Sequence, residues 1–209
     1  MTVLTLDGHS GASVAVDMCE SCQAFWFDGY ESLQLAPGST LKLFTRIGEL
    51  STGTKSAIGP VLHCPRCQSH LLTAHDLQRA TPFEYWRCGR GDGRFITFFN
   101  FLREKDFIKP LSPQQIAELR QNVRMIHCAN CGAPIDLTRD STCGHCGAAL
   151  SMLDMKKVAT LSATPTAAPT PTRPARLNGA DIGALFESED PSSLSLIDLG
   201  LRAVAKWLG

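Results

Sequence analysis

Apolar and polar side chains alternate with period two over residues 2–6 and 14–18, on either side of the glycine-containing stretch 7–11. This pattern predicts a β-hairpin with one face buried. Residues 30–35 read as a short turn. Over 39–50 the period changes: Leu41, Leu43, Phe44, Ile47 and Leu50 share one face of a predicted helix, with Ser39 or Thr40 as N-cap. Two further strand candidates, 71–75 and 84–88, flank a polar stretch at 76–82. Residues 95–102 (F-I-T-F-F-N-F-L) form the most apolar run and are expected in a core. Ser112, Pro113 and Gln115 match a capping box with proline at the first helical position, and predict a helix running to about residue 125. Residues 158–174 are almost entirely Ala, Thr, Ser and Pro and cannot build a core, which predicts an extended linker. Helical spacing returns at 180–186 and at 194–208, where Leu194, Ile197, Leu201, Val204, Ala205 and Leu208 share a face.

Composition changes how these elements must be held together. With 209 residues, 7% aromatic and 19% charged, the chain is poor in large core anchors, yet it carries nine cysteines. Modules below ~70 residues rarely stabilise themselves by apolar burial alone and need disulfides or metal. The expected fold class is therefore a small, metal-stabilised α+β protein: tandem zinc ribbons, each a short β-hairpin with knuckles, plus connecting helices and a C-terminal helix. The expected divisions are a degenerate ribbon with helix at 1–60, a second ribbon with helix at 61–125, a four-cysteine ribbon at 126–157, a linker at 158–176 and a helical tail at 177–209.

Eight of the nine cysteines fall in Cys-x-x-Cys pairs. Residues 1–6 carry neither a basic region nor a long apolar stretch, so no secretory leader is expected and the protein is read as cytoplasmic. In a reducing compartment such pairs point to metal thiolates rather than disulfides. The clearest set is Cys128, Cys131, Cys143 and Cys146, two pairs separated by eleven residues and each followed by glycine. Zinc takes four tetrahedral ligands, and one tight turn presents two thiolates to one ion. A second set is Cys64, Cys67 and Cys88, with Asp92 able to turn back as fourth ligand and His63, His70 and His75 as competitors. The third is Cys19 and Cys22, with His9 across the hairpin as a candidate third ligand and Asp28 as a weaker one. Alternatives for that pair are sharing one ion with Cys64 and Cys67, or no metal, the ribbon being held by Phe25, Trp26 and Phe27. Two to three zinc ions are expected in all.

Cys19-x-x-Cys22-x-x-x-Trp26-x-Asp28-x-x-Glu31, with Phe25 and Phe27 beside the tryptophan, resembles the transcription factor IIB-type zinc-ribbon family of small bacterial proteins. The family pattern places an earlier Cys-Pro-x-Cys pair and a hairpin ahead of this one; here the sequence starts where that first pair would stand. Cys64-Pro65-Arg66-Cys67, followed by Tyr85-Trp86-Arg87-Cys88, is similar to a second such ribbon, with Asp92 where a histidine is expected. The resemblance implies zinc-ribbon folds over about residues 1–155. It leaves function to be argued from the sites, because zinc ribbons contact DNA, RNA and protein alike.

Net charge is zero, although residues 1–60 hold 3 basic and 6 acidic groups and residues 61–125 hold 10 and 6. No run of ~18 apolar residues predicts a membrane span. No Ser-His-Asp constellation, phosphate loop or dinucleotide fingerprint is present, so no catalytic residue, small-molecule substrate or enzymatic activity is expected. The favoured reading is an adaptor that binds a protein partner through the tail helix, with Trp207 as an anchor. Nucleic acid is the alternative partner, met by Arg87, Arg90 and Arg94 beside Tyr85, Trp86 and Phe95. A rubredoxin-like iron centre on Cys128, Cys131, Cys143 and Cys146 is the least favoured reading.

Overall fold

Strand β1 (Thr2–Asp7) turns through a single 3-10 turn at His9–Gly11 into β2 (Ser13–Cys19), and the two pair antiparallel from Thr2 opposite Met18 to Asp7 opposite Ser13. The alternation read from the sequence is the reason: Val14, Val16 and Met18 all face inward and are buried. The computed structural model describes residues 1–50, 56, 58–76, 83–162 and 195–208, without the side chains of 10, 207 and 208. The described residues form a small α+β protein of antiparallel strands and helices in two compact units, Met1–Leu43 with Lys55–Asp106, and Phe44–Thr54 with Phe107–Gly209.

In the first unit the chain continues through β3 (Ala24–Asp28), β4 (Leu71–Asp76), β5 (Phe83–Cys88) and β6 (Gly93–Thr97), and all six strands join one sheet in the order β1-β2-β3-β6-β5-β4. The two ribbons expected at 1–60 and 61–125 thus share a sheet, closed by β3 against β6 from Ala24 opposite Thr97 to Asp28 opposite Gly93. Strand pairing between distant segments leaves no local signature, but one consequence was visible: β3 is a central strand, and Ala24, Phe25, Trp26 and Phe27 are all buried. Its two faces do different work. Phe25 and Phe27 meet Phe98 and Phe101, with Phe25 to Phe98 at 4.5 Å and Phe27 to Phe101 at 5.6 Å between ring centroids. Ala24 and Trp26 point the other way, into a cluster with Phe95, Cys64 and Cys88.

The apolar run at 95–102 is buried as expected, but it changes type in the middle. β6 ends at Thr97, whose hydroxyl accepts the Asn100 N–H and caps α3, which we number after two earlier helices, α1 (Glu31–Gln34) and α2 (Pro37–Leu50); α3 is Phe98–Glu104. α2 begins two residues before Ser39. Ser39 is not its cap; the buried hydroxyl accepts the Asp7 N–H at 2.9 Å, while Pro37 occupies the first turn, where its missing N–H costs nothing.

The second unit pairs β7 (Ile108–Pro110) with β10 (Ser151–Leu153), and β8 (Met125–His127) with β9 (Pro134–Asp136). α4 (Pro113–Asn122) starts with the complete capping box: the Ser112 hydroxyl accepts the Gln115 N–H and the Gln115 side-chain Oε1 accepts the Ser112 N–H. α5 (Met155–Ser162) takes up residues 158–162 of the expected linker, with Val158 buried. The rest of the linker and the helix expected at 180–186 lie outside the described residues. α6 (Leu196–Leu208) follows the predicted tail helix, and Leu196, Ile197, Leu199, Leu201 and Val204 are buried. α6 packs so closely on its surroundings that a Cβ at Gly200 would stand 3.0 Å from the Leu153 side chain. Of the apolar face expected to dock on a partner, Ile197, Leu201 and Val204 are therefore covered by the chain itself, while Leu194 and the side chains of Trp207 and Leu208 lie outside the described residues. No helix of the described residues is long and apolar enough to cross a membrane.

Candidate metal centres

Three of the Cys-x-x-Cys turns repeat one backbone design. Cys64, Cys128 and Cys143 each donate an N–H to the carbonyl five residues on (Ser69, Ala133 and Ala148, all at 2.8 Å), and each accepts from the N–H four residues on. The residue at that fourth place is left-handed: Gln68 at φ 62°, Gly132 at 77° and Gly147 at 71°. Glycine reaches this region without cost, which is what the glycines after the Cys128–Cys131 and Cys143–Cys146 pairs signalled. The turn leaves both sulfurs on one side of the hairpin. Backbone N–H groups point at them as well, the Arg66 N–H lying 3.4 Å from the Cys64 sulfur.

In the second unit two such knuckles close on each other. Cys128 Sγ lies 3.6 Å from Cys146 Sγ, and Cys131 Sγ lies 3.7 Å from Cys143 Sγ. All four sulfurs lie within 4.8 Å of one another and could hold one metal ion. Cys128 and Cys143 are buried and Cys146 is at the surface. Burial pushes the Cys128 and Cys131 thiols up. Burial would raise Cys143 too, but N–H groups of Cys146 and His145 aimed at its sulfur, with the neighbouring thiols, bring it down to about 7.

In the first unit Cys64, Cys67 and Cys88 converge with Asp92, again within 4.8 Å and again able to hold an ion. Cys67 Sγ is 3.5 Å from Cys88 Sγ, and Asp92 Oδ2 accepts from Cys64 at 3.4 Å and from Cys88 at 3.2 Å. Asp92 reaches back because Gly91 is left-handed (φ 85°), so the chain doubles back directly after Cys88. Burial pushes the Cys64 thiol up to about 11. Hydrogen bonds from the Cys67, Cys88 and Cys64 thiols hold the Asp92 carboxyl below its ordinary range.

His63 and His70 stay outside this group and pack against each other with ring centroids 4.5 Å apart and planes tilted by 44°, and His75 lies 3.9 Å from Glu84. His9 does not reach Cys19 and Cys22. It sits in the turn between β1 and β2, whereas Cys19 ends β2; the seven-residue strand, ~20 Å long, separates the two. Nor do Cys19 and Cys22 join the Cys64 group, although Cys22 packs against the cluster containing Cys64 and Cys88. Asp28 is engaged elsewhere. Trp26 Nε1 donates to Asp28 Oδ1 at 2.6 Å, and the Asp28 N–H donates to Glu31 at 2.8 Å, so the Trp-x-Asp-x-x-Glu spacing forms a hydrogen-bonded chain bracing the end of β3. Burial would raise the Asp28 carboxyl, but Arg66 and Trp26 outweigh it and hold the group below its usual range.

Arg66 was missed in the sequence. It donates to Asp28 and, at 2.6 Å, to Asp17, pinning the Cys64–Cys67 knuckle to the faces of β2 and β3. A basic residue inside a Cys-Pro-x-Cys turn was the only signal. Of the arginines expected to meet nucleic acid, Arg94 is committed: it pairs with buried Glu104 at 2.7 Å and lies over the rings of Phe27 and Tyr85. Phe95 is buried and Trp86 packs in the Cys64 cluster.

Comparison with known proteins returned no match among family models, curated proteins or solved structures.

Proposed function

We propose that this chain is a non-enzymatic scaffold of zinc ribbons that acts by contacting protein, stabilised by two structural zinc ions: one on Cys128, Cys131, Cys143 and Cys146, the other on Cys64, Cys67, Cys88 and Asp92. The carrying observation is sulfur spacing. Tetrahedral zinc with bonds of about 2.3 Å separates its thiolates by about 3.8 Å, and the opposed pairs here stand at 3.5 to 3.7 Å. Both sets are complete with four protein atoms. A closed set has no position for water or substrate, which favours a structural role over a catalytic one. The resemblance to transcription factor IIB-type ribbons is supported by the Trp26, Asp28 and Glu31 chain, a local reason for those residue types at that spacing.

The tail belongs to the scaffold in this reading, because its apolar face is already used. Elemental analysis of protein purified without added metal tests the proposal. Two zinc ions per chain are expected, with one lost in Cys128→Ser and the other in Cys64→Ser. A chain that holds iron, or none, overturns it. Deleting residues 195–209 separates scaffold from docking element: as part of the fold its loss lowers the melting temperature, whereas a docking element leaves it unchanged.

A further inference from the structure

Seven of the nine cysteines belong to the two four-atom groups, which leaves Cys19 and Cys22. Their turn shares only part of the other knuckles' design, since the Gln23 N–H donates to the Glu20 carbonyl at 3.3 Å rather than to that of Cys19. Cys19 and Ala24 are opposite one another where β2 turns into β3, and Gln23, directly after the second cysteine, is left-handed at φ 51°. No third and fourth ligand atoms accompany them among the described residues. What the turn does provide is two thiols side by side, with the Cys22 N–H and thiol both directed at the Cys19 sulfur and the Ser21 hydroxyl 3.4 Å from it. Both cysteines are half-buried, so solvent reaches them. The hydrogen-bonded turn is Glu20–Gln23, with Cys19 directly before it and Cys22 inside it, and the contact between the two thiols brings the pair towards disulfide geometry, in which α-carbons stand about 4.4–6.8 Å apart.

We propose that Cys19 and Cys22 form a redox-active dithiol that exchanges with low-molecular-weight disulfides, apart from the metal centres. The Cys19 thiolate attacks one sulfur of the external disulfide, forming a Cys19 mixed disulfide and expelling one thiolate. Cys22, as thiolate, then attacks the Cys19 sulfur and expels the second. The external disulfide is reduced to two thiols, which take up the two protons the cysteines released, and the protein gains one Cys19–Cys22 bond. Cys19 is the attacking residue because the turn's hydrogen-bond donors converge on its sulfur and favour its thiolate. Cys22, against the apolar cluster behind it, is the resolving thiol.

The expectation that only this pair responds rests on the zinc reading, since metal-bound thiolates are shielded, and the test separates the two. The full chain is equilibrated in glutathione buffers of increasing oxidised fraction, quenched with an alkylating agent and mapped by peptide mass, with zinc counted in parallel. The expected result is a Cys19–Cys22 disulfide formed while the zinc count holds. Cys22→Ser should trap one glutathione on Cys19, and Cys19→Ser should abolish the disulfide. The proposal is overturned if both cysteines stay alkylatable until zinc is lost, or if a third ion is bound and disappears in Cys19→Ser. Oxidation of all nine cysteines together would instead remove the zinc reading.

Discussion

Arg66 grips Asp28 through two parallel hydrogen bonds, Nε to Oδ1 at 3.0 Å and Nη2 to Oδ2 at 2.8 Å, across 38 positions of sequence. The bidentate fork is what arginine offers and lysine does not. Both side chains are close to half-exposed, at 47% and 41%, so solvent screening limits the pair to about 1 kcal/mol. Arg66→Lys should therefore lose nearly as much stability as Arg66→Ala in urea melts. The sign with pH follows from the depressed Asp28 carboxyl. Its contribution is present above its unfolded value, about 4, and fades as pH falls through the lower folded value, so wild type and Asp28→Asn should converge in acid.

Asp92 supplies the only non-sulfur atom of either group. Asp92→Ala should weaken zinc at the Cys64 set by at least tenfold, while Asp92→Cys and Asp92→His retain it; competition with a chromogenic chelator reads the difference. An unchanged affinity in Asp92→Ala would remove Asp92 from the ligand set.

Metal binding requires thiolates, and in the metal-free state burial pushes Cys64 up to about 11, so at neutral pH that sulfur holds a proton that zinc must displace. Zinc affinity at this set should fall with every unit of acidification from pH 8 to 5. Proton release measured by calorimetry in buffers of different ionisation enthalpy checks it.

Gly48 in α2 tests the packing of α6. Alanine is favoured over glycine inside a helix by ~1 kcal/mol, yet a Cβ here would stand 2.6 Å from the Leu201 carbonyl oxygen. Overpacking costs about 1–3 kcal/mol, and a backbone atom cannot rotate away, so Gly48→Ala should lower the melting temperature by a few degrees.

The Cys128 set was fully legible, because all four cysteines fall within nineteen residues and each pair needs only one local turn. The Cys64 set was legible less completely: its three cysteines stood out, but Asp92 shared the fourth place with His63, His70 and His75 until the left-handed Gly91 showed the chain reversing directly after Cys88. His9 stands apart from Cys19 for a related reason: the ten residues between them run along a hairpin whose register sets the two at opposite ends. The capping box at Ser112 and the helical face of the tail were also readable, being local hydrogen bonding and periodicity.

What the sequence determined by itself were the features set by short-range chemistry: knuckle turns, caps, the period of each element and which faces are apolar. The tertiary structure decided what those faces meet. β3 joining β6 merges two expected modules into one sheet, Arg66 finds Asp28, Arg94 is claimed by Glu104, and α6 spends its apolar face on its own chain. An apolar face states that burial is favourable without naming a partner, because the hydrophobic effect is non-directional; only the assembled chain chooses among the surfaces available.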